Sequence, residues 1–471
     1  MAETRPPIPN SSALFLAGCG ILSLGYTIWK QINEGNNFGR QRKNATSSAS
    51  LTAHEYLIEM GTPLVPLRQI SKLVGRNIYV KMESLNPGGT GKDRAAINMI
   101  RSAERNNLLP QPNDAGDLFL LTTPAEAPET QSEVDGTASM TGDDKNDSQK
   151  SNHQSQSSQS APSLESMIVQ AMAKSRTGGL VVEGTSGSTG IALATICAAR
   201  GHACLVVLPD DQAQEKKAIL QSLGAIVYEV PTASISNPNH YVNIARQAAK
   251  LARRKFGIRA FFVDQFENPA NYQMHYDNTG PEIWQQLPTI DAFCMSSGTG
   301  GTIAGVGTYL KEKQSKVKIM LVDPPGSSLY NKVEHGIAYA VQQSERSVRK
   351  HRYDTLAEGI GLDRVTQNFD WGLDAMDGAI RVSDQEAVDM AHYLLKLEGL
   401  WVGSSSAMNV VGAIRTAIDM PEGSNVVTMI CDGGQRHATR FWNPAFIEKN
   451  RGLIWPWEER IPECLQQMAV S

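Results

Sequence analysis

The apolar and polar positions of this chain repeat one local order: a short apolar or alternating run, a glycine-rich turn, then residues at helical spacing. Asn77–Glu83 alternates and reads as a strand, and Ala95–Ile100 reads as part of a helix running to about Asn107. Gly179–Glu183 reads as a buried strand that leads into a helix at Ile191–Arg200. Ala203–Pro209 is a continuous apolar run of the parallel-sheet kind, followed by a helix from about Gln212 to Leu223 and a strand at Ala225–Val230. Helices are also predicted at Asn243–Lys255 and Ile303–Lys311, and strands at Ala292–Met295, Ile319–Val322 and Asn425–Cys431. The β-α-β alternation predicts an α/β fold with doubly wound sheets.

Two stretches break the pattern. From about Gln111 to Ser163, Asp, Glu, Ser, Gln, Thr and Pro dominate, with a short ordered piece conceivable only at Leu118–Leu121. Such a segment buries too little apolar surface to offset the entropy of ordering it, so 111–163 is expected to be a disordered surface insertion. A longer loop costs only slightly more closure entropy, so the fold tolerates it. Ser11–Trp29 carries no charge and approaches the ~20 residues needed to cross a bilayer. Lys30, Arg40, Arg42 and Lys43 follow it, against Arg5 alone before it, which predicts a single transmembrane anchor with the long C-terminal part in the cytosol. A removed targeting sequence is the competing reading, though the basic start of a signal peptide is nearly absent. The expected organisation is a tail at 1–10, the anchor at 11–29, a linker at 30–50, a core at 51–440 in two subdomains, and an extension at 441–471.

Composition changes little in this picture. The chain has 471 residues, a formal net charge of -4, 41% hydrophobic and 20% charged residues, an ordinary globular profile that gives no reason to expect nucleic acid. Its six cysteines form no CxxC pair and mostly sit inside apolar runs, so they read as reduced core residues, not bridges or metal ligands.

The chemistry is concentrated in three glycine loops at strand-to-helix junctions. In Asn86-Pro87-Gly88-Gly89-Thr90-Gly91-Lys92-Asp93-Arg94, the glycines place Lys92 at the start of a helix, where unpaired N–H groups and the macrodipole disfavour a further positive charge. A free amine there can condense with an aldehyde and can remove a proton. A nucleotide P-loop fits poorly, because it wants glycine at position 86 and a hydroxyl residue where Asp93 stands. A solvated lysine on an ordinary turn is the bland reading of this stretch alone. Gly184-Thr185-Ser186-Gly187-Ser188-Thr189-Gly190 directs hydroxyls and amides at a helix N-terminus and suits an anion. Ser297-Gly298-Thr299-Gly300-Gly301-Thr302 has the form of a phosphate cradle.

Taken together these loops resemble a known family. Asn86–Arg94 is similar to the Asn-Pro-Gly-Gly-Ser-x-Lys-Asp-Arg motif of the cysteine synthases (O-acetylserine sulfhydrylases) and cystathionine β-synthases, pyridoxal phosphate enzymes of the tryptophan-synthase β fold, or fold type II. The resemblance runs in pieces from about Gly61 to Arg440. It implies that Lys92 holds pyridoxal 5'-phosphate and acts as the catalytic base, with Gly298, Thr299, Gly300, Gly301 and Thr302 around the phosphate. It implies that Thr185, Ser186, Gly187, Thr189 and Gln265 bind the amino-acid substrate. Ser188 stands where most members carry an asparagine that meets the cofactor's phenolic oxygen. Gly433 stands where the family serine meets the pyridine nitrogen, and it is expected as a contact by location only. Glu358-Gly359-Ile360-Gly361 resembles a cystathionine β-synthase motif.

The activity implied is synthesis of L-cysteine from O-acetylserine and hydrogen sulfide. The alternatives are cystathionine β-synthase or cysteine desulfhydrase chemistry, or a membrane-tethered binding protein with weak catalysis, motivated by Ser188 and Gly433. The uncharged N-terminal stretch is similar to that of signal-anchored mitochondrial outer-membrane proteins, among them some fungal cysteine-synthase-like proteins, which implies that location with the catalytic part facing the cytosol; another intracellular membrane, such as the endoplasmic reticulum, is the alternative. A homodimer is expected, and no metal.

Overall fold

The structure is a computed structural model of the chain, and it describes residues 51–112, 162–339, 355–456 and 461–466. The chain divides into Met1–Leu51 and Thr52–Ser471, and all described secondary structure lies in the second unit. Ten strands form two sheets. They are β1 (Leu64–Pro66), β2 (Asn77–Met82), β3 (Gly179–Gly184), β4 (Ala203–Pro209), β5 (Ile226–Val230), β6 (Arg259–Phe262), β7 (Ala292–Ser296), β8 (Lys318–Asp323), β9 (Gly378–Arg381) and β10 (Asn425–Ile430).

The smaller sheet has the order β5-β4-β3-β6 and is parallel throughout. The larger has the order β1-β2-β10-β7-β8-β9, parallel except for the antiparallel pair β1 and β2. Both sheets are covered on both faces, which is why a central strand such as β4 reads as an unbroken apolar run. Along β3, Val181 packs with Ile97, Ile191 and Leu193 on one face, while Leu180 and Val182 pack with Ala245, Ala248 and Ala252 on the other. Along β10, Val426 and Ile430 join the cluster of Met408, Val411 and Ile414, and Val427 and Met429 join that of Ile303, Val306 and Leu310. The α/β architecture with two doubly wound sheets is therefore the one expected.

The transmembrane part of that expectation is corrected. Among the described residues no helix is long and apolar enough to cross a membrane, and the stretch 11–29 lies outside the described residues. The membrane as a partner, the mitochondrial outer-membrane location and the cytosol-facing orientation all rested on that helix and fall with it. The expected homodimer is set aside too, because no subunit interface is evidenced among the described residues. Of the expected disordered insertion, residues 113–161 lie outside the described residues, and the helix after it begins at Leu164.

Candidate active site

The lysine loop is held from four sides. The helix Lys92–Arg105 has Lys92 as its first residue and follows β2 through the short turn Glu83–Leu85 and the loop 86–91. Asp93 turns back so that its Oδ2 accepts the Gly88 N–H at 2.6 Å. Asn86 Nδ2 donates to Glu83 Oε2 at 2.9 Å, Arg436 donates to the Gly88 carbonyl, and Thr90 pairs antiparallel with Asp432 just past β10. Arg94, fully buried, donates to Glu83 at 2.7 Å and to Glu282 at 2.7 Å. Burial alone would raise the Glu83 carboxyl, but the Arg94 guanidinium, with Lys81 and the Thr62 hydroxyl, outweighs it and holds that carboxyl at about 2. Asp93 and Arg94 thus anchor the segment that presents Lys92.

Lys92 sits where two adjoining cavities meet, and among the described residues its Nζ has no hydrogen-bond or ion-pair partner. The first cavity brings Lys92 together with Ser188, Gly298, Thr299, Gly300 and Thr302. The second brings it together with Thr185, Ser186, Ser188, Thr189 and Gln265. Loops more than two hundred residues apart in the chain converge because the strands that carry them are parallel and present their C-terminal ends to one crevice.

The phosphate loop is shaped by close packing. Gly300, at φ 86°, caps the helix Gly301–Lys313, and a Cβ there would lie within 2.7 Å of the Phe369 backbone. A Cβ on Gly298 would meet the Gly359 carbonyl at 2.2 Å, and one on Gly301 would meet Asn271 Oδ1 at 2.4 Å. Thr299 Oγ1 accepts from Asn271 Nδ2 at 2.9 Å, and Thr302 Oγ1 lies 3.1 Å from His275 Nε2. Burial pushes the His275 imidazole down to about 3, so this last contact joins neutral partners. Ser296 Oγ lines the cavity, is buried and has no hydrogen-bond partner. A helix N-terminus with unpaired amides, threonine hydroxyls and an unpartnered serine hydroxyl fits a phosphate.

In the second cavity Thr189 Oγ1 donates to Gln265 Oε1 at 2.5 Å, and Gln265 Nε2 donates to Glu183 Oε1 at 3.1 Å. Burial raises the Glu183 carboxyl well above its usual range. Ser188 begins the helix Ser188–Arg200, and Gly187 precedes it at φ 137° with the Lys216 side chain packed against its Cα.

Three expected site residues do not line either cavity: Gly187, Gly301 and Gly433. Gly433 pairs with Val402 in an isolated bridge, and a Cβ there would point at the side chain of exposed Gln435. The chain beside it supplies Cys431 and Asp432 to the cavity wall, with Ser405 from the helix Ser404–Ile418. Burial pushes the Cys431 thiol up to about 11.

Sequence reasoning missed Lys216 and His437, and noted Glu358 only within a family motif; the three complete the second cavity. Lys216 donates to Glu358, Arg440 Nη1 approaches Glu358 at 3.4 Å, and His437 Nε2 lies 3.0 Å from Asp432 Oδ2. Burial opposes ionisation of Glu358 and Asp432, but Lys216 and His437, helped by Arg440 and Arg436, hold both carboxyls below the usual range. The one available signal was position: Glu358 opens a glycine turn, and Asp432 and His437 follow a C-terminal strand end.

A covalent-capable lysine, an anion loop and a phosphate cradle around one crevice of a doubly wound α/β fold define a pyridoxal phosphate enzyme. Residues 56–118 and 157–432 match the family model described as "Pyridoxal-phosphate dependent enzyme", and the chain belongs to that family. It is 42% identical over 387 residues to the "Putative mitochondrial cysteine synthase" of Saccharomyces cerevisiae, covering 82% of each chain. It is 39% identical over 391 residues to "Cysteine synthase 2" of Schizosaccharomyces pombe, covering 82% of this chain and 83% of that one. Among solved structures, that of O-ureido-L-serine synthase shares the fold with a TM-score of 0.59 at 24% identity, over 82% of this chain and 93% of that one. The chain is a pyridoxal-phosphate-dependent enzyme of the cysteine synthase and cystathionine β-synthase family, whose chemistry is β-replacement.

Proposed function

We propose that this enzyme is a cysteine synthase, converting O-acetyl-L-serine and hydrogen sulfide into L-cysteine and acetate. The observation that carries the reading is the uncommitted amine of Lys92 at the junction of a phosphate cradle and a carboxylate-binding loop. Its relatives' names point the same way. When bound, pyridoxal phosphate supplies an aldehyde for amine condensation and a ring that delocalises charge from the substrate α-carbon.

The protein's residues supply the rest. Lys92 Nζ holds the cofactor covalently, then takes the α-proton of the substrate and later returns it. The amides and hydroxyls of Gly298, Thr299, Gly300 and Thr302 fix the phosphate, with Ser296 Oγ as a further donor. Thr185, Ser186 and Thr189 grip the substrate carboxylate, and Gln265, locked between Glu183 and Thr189, limits how it turns. Together they orient the bond that breaks. Ser188 lines both cavities and would offer its hydroxyl to the phenolic oxygen of the cofactor.

The second reading is cystathionine β-synthase chemistry, with serine and homocysteine, favoured by Glu358 of the Glu358–Gly361 motif lining both cavities. Purified protein with excess pyridoxal phosphate should show the visible absorbance band of the lysine-bound cofactor, absent in Lys92→Ala. O-acetylserine should shift that band and sulfide should restore it. A shift with serine and restoration by homocysteine alone would establish the second reading, and a band that no amino acid perturbs would sink both.

A further inference from the structure

The second cavity contains an oriented imidazole for which the reaction as described has no use. His437 ends the short turn Gly434–His437 after β10, and its side chain is 2% exposed. Asp432 Oδ2 lies 3.0 Å from its Nε2, and an ionised carboxylate can only accept, so Nε2 is the nitrogen that carries a hydrogen whenever the ring holds one proton. Nδ1 is then the nitrogen left with a free lone pair. It is buried, has no hydrogen-bond partner, and stands 4.0 Å from Glu358 Oε2, beyond hydrogen-bonding distance.

The charged groups around the ring are all accounted for. Asp432 holds one nitrogen; Glu358 faces the other but is engaged by Lys216 and Arg440. Arg436, on the same turn, donates to the Gly88 carbonyl, and the Phe441 ring closes the remaining side at 6.4 Å. Nothing in that shell uses Nδ1, and His437 lines the same cavity as Thr185, Thr189 and Gln265. A carboxylate that sets the tautomer and an unpartnered nitrogen on a ring that lines the substrate cavity form the arrangement of a general base.

We propose that His437, positioned by Asp432, accepts the proton of the incoming sulfur nucleophile. This rests on the β-replacement reading above. As the nucleophile adds, its S–H bond breaks, its electron pair forms the S–Cβ bond, and the proton passes to Nδ1. The second electron pair of the Cα–Cβ bond, which came from the Cα–H bond broken by Lys92 when acetate left with the Cβ–O pair, moves to Cα, which takes back the proton held on Lys92. Nδ1 then releases its proton to water, and the ring is again neutral. His437 is the catalytic residue of this step and Asp432 a positioning residue.

The test is His437→Gln as cofactor-loaded enzyme, with the two halves of the reaction followed separately by the cofactor's absorbance. Restoration by sulfide or thiols should slow by ~10²-fold or more at pH below the thiol's own pKa, a larger loss than in the response to O-acetylserine alone. In the variant that rate should climb tenfold per pH unit, tracking the thiolate fraction, whereas in wild type it should be flatter. Equal nucleophile rates and equal pH profiles in the two proteins would overturn the proposal. The readout that needs no variant is the nitrogen resonance of His437 in labelled wild-type protein. It should report the Nε2–H tautomer, lost in Asp432→Asn; a Nδ1–H tautomer in wild type would overturn the proposal even if His437→Gln failed to fold. A wild-type enzyme that ignores O-acetylserine refutes the functional reading instead, and the two failures are distinguishable.

Discussion

The carboxylate of Asp93 reaches back to the N–H of Gly88 at 2.6 Å, so the residue after the lysine fastens the start of the loop that delivers it. The geometry leaves no spare room: a Cβ on Gly88 would lie 2.3 Å from Asp93 Oδ1. Gly88→Ala should therefore push the carboxylate aside and loosen the loop, at a cost of about 1–3 kcal/mol typical of overpacking. Titration of the protein with pyridoxal phosphate, followed by the visible band, should show at least tenfold weaker binding while far-ultraviolet circular dichroism is unchanged.

Asp93 also predicts a pH dependence. Burial raises its carboxyl to about 7, only partly opposed by the Gly88 N–H and Arg436. Between the unfolded carboxyl value of about 4 and pH 7 the folded state therefore holds more protons than the unfolded one, and stability falls as pH rises through that window. The full effect is on the order of 4 kcal/mol, present below the window and lost above it. Buried Asp323, also raised to about 7, contributes in the same window, so the measurement is a difference. Urea unfolding of cofactor-free protein at pH 5 and pH 8 should show a larger drop for wild type than for Asp93→Asn. Identical drops would contradict the assignment.

Arg94 joins two carboxylates under the lysine helix, Glu83 at 2.7 Å and Glu282 at 2.7 Å. Arg94→Met leaves Glu83 buried without its main counter-charge and should cost about 3–5 kcal/mol, seen as a lower urea midpoint. Adding Glu83→Gln to it should recover part of that loss, because the uncompensated charge is then gone.

Gly300 and Gly224 separate backbone strain from crowding. Both have φ 86°, but a Cβ on Gly224 meets nothing within 4 Å, while one on Gly300 would strike Phe369. Gly224→Ala should cost about 1–2 kcal/mol from the left-handed backbone alone. Gly300→Ala should cost more and should also weaken binding of the cofactor phosphate, measured as inhibition of cofactor loading by inorganic phosphate. Equal losses would show that the cradle is not tightly packed.

Thr189 carries the hydrogen bond that orients Gln265. Thr189→Val keeps the shape and removes the hydroxyl, so KM for the amino acid should rise about tenfold, the ~1–1.5 kcal/mol of one such bond, with kcat changing less.

What the sequence made legible follows from burial and locality. β3, β4, β7 and β10 are covered on both faces, so each shows as a mostly apolar run, and the glycine loops follow at or shortly after strand ends. Lys92 and the hydroxyls of the two anion loops were visible because each motif is local. Lys216 and His437 were not, and Glu358 showed only as part of a motif, because the three come from separate segments that only the folded sheets bring together. Gly433, expected as a contact by location only, does not line the cavity, whose wall beside it is built by Cys431 and Asp432. The anchor at 11–29 was inferred from composition alone, with no packing partner to check it against.

The pairing of β2 with β10 gives the protein a constraint in time as well as space. The strand leading to Lys92 lies between β1 and β10, residue for residue from Asn77 beside Asn425 to Met82 beside Ile430. On the ribosome the lysine loop emerges early, but its neighbour emerges only after more than three hundred further residues have been translated. Until then β2 exposes a bare apolar edge, of the kind chaperones recognise and aggregates grow from. A nascent chain halted before Asn425 should therefore be unable to capture the cofactor, so that holoenzyme assembly is a late event of synthesis.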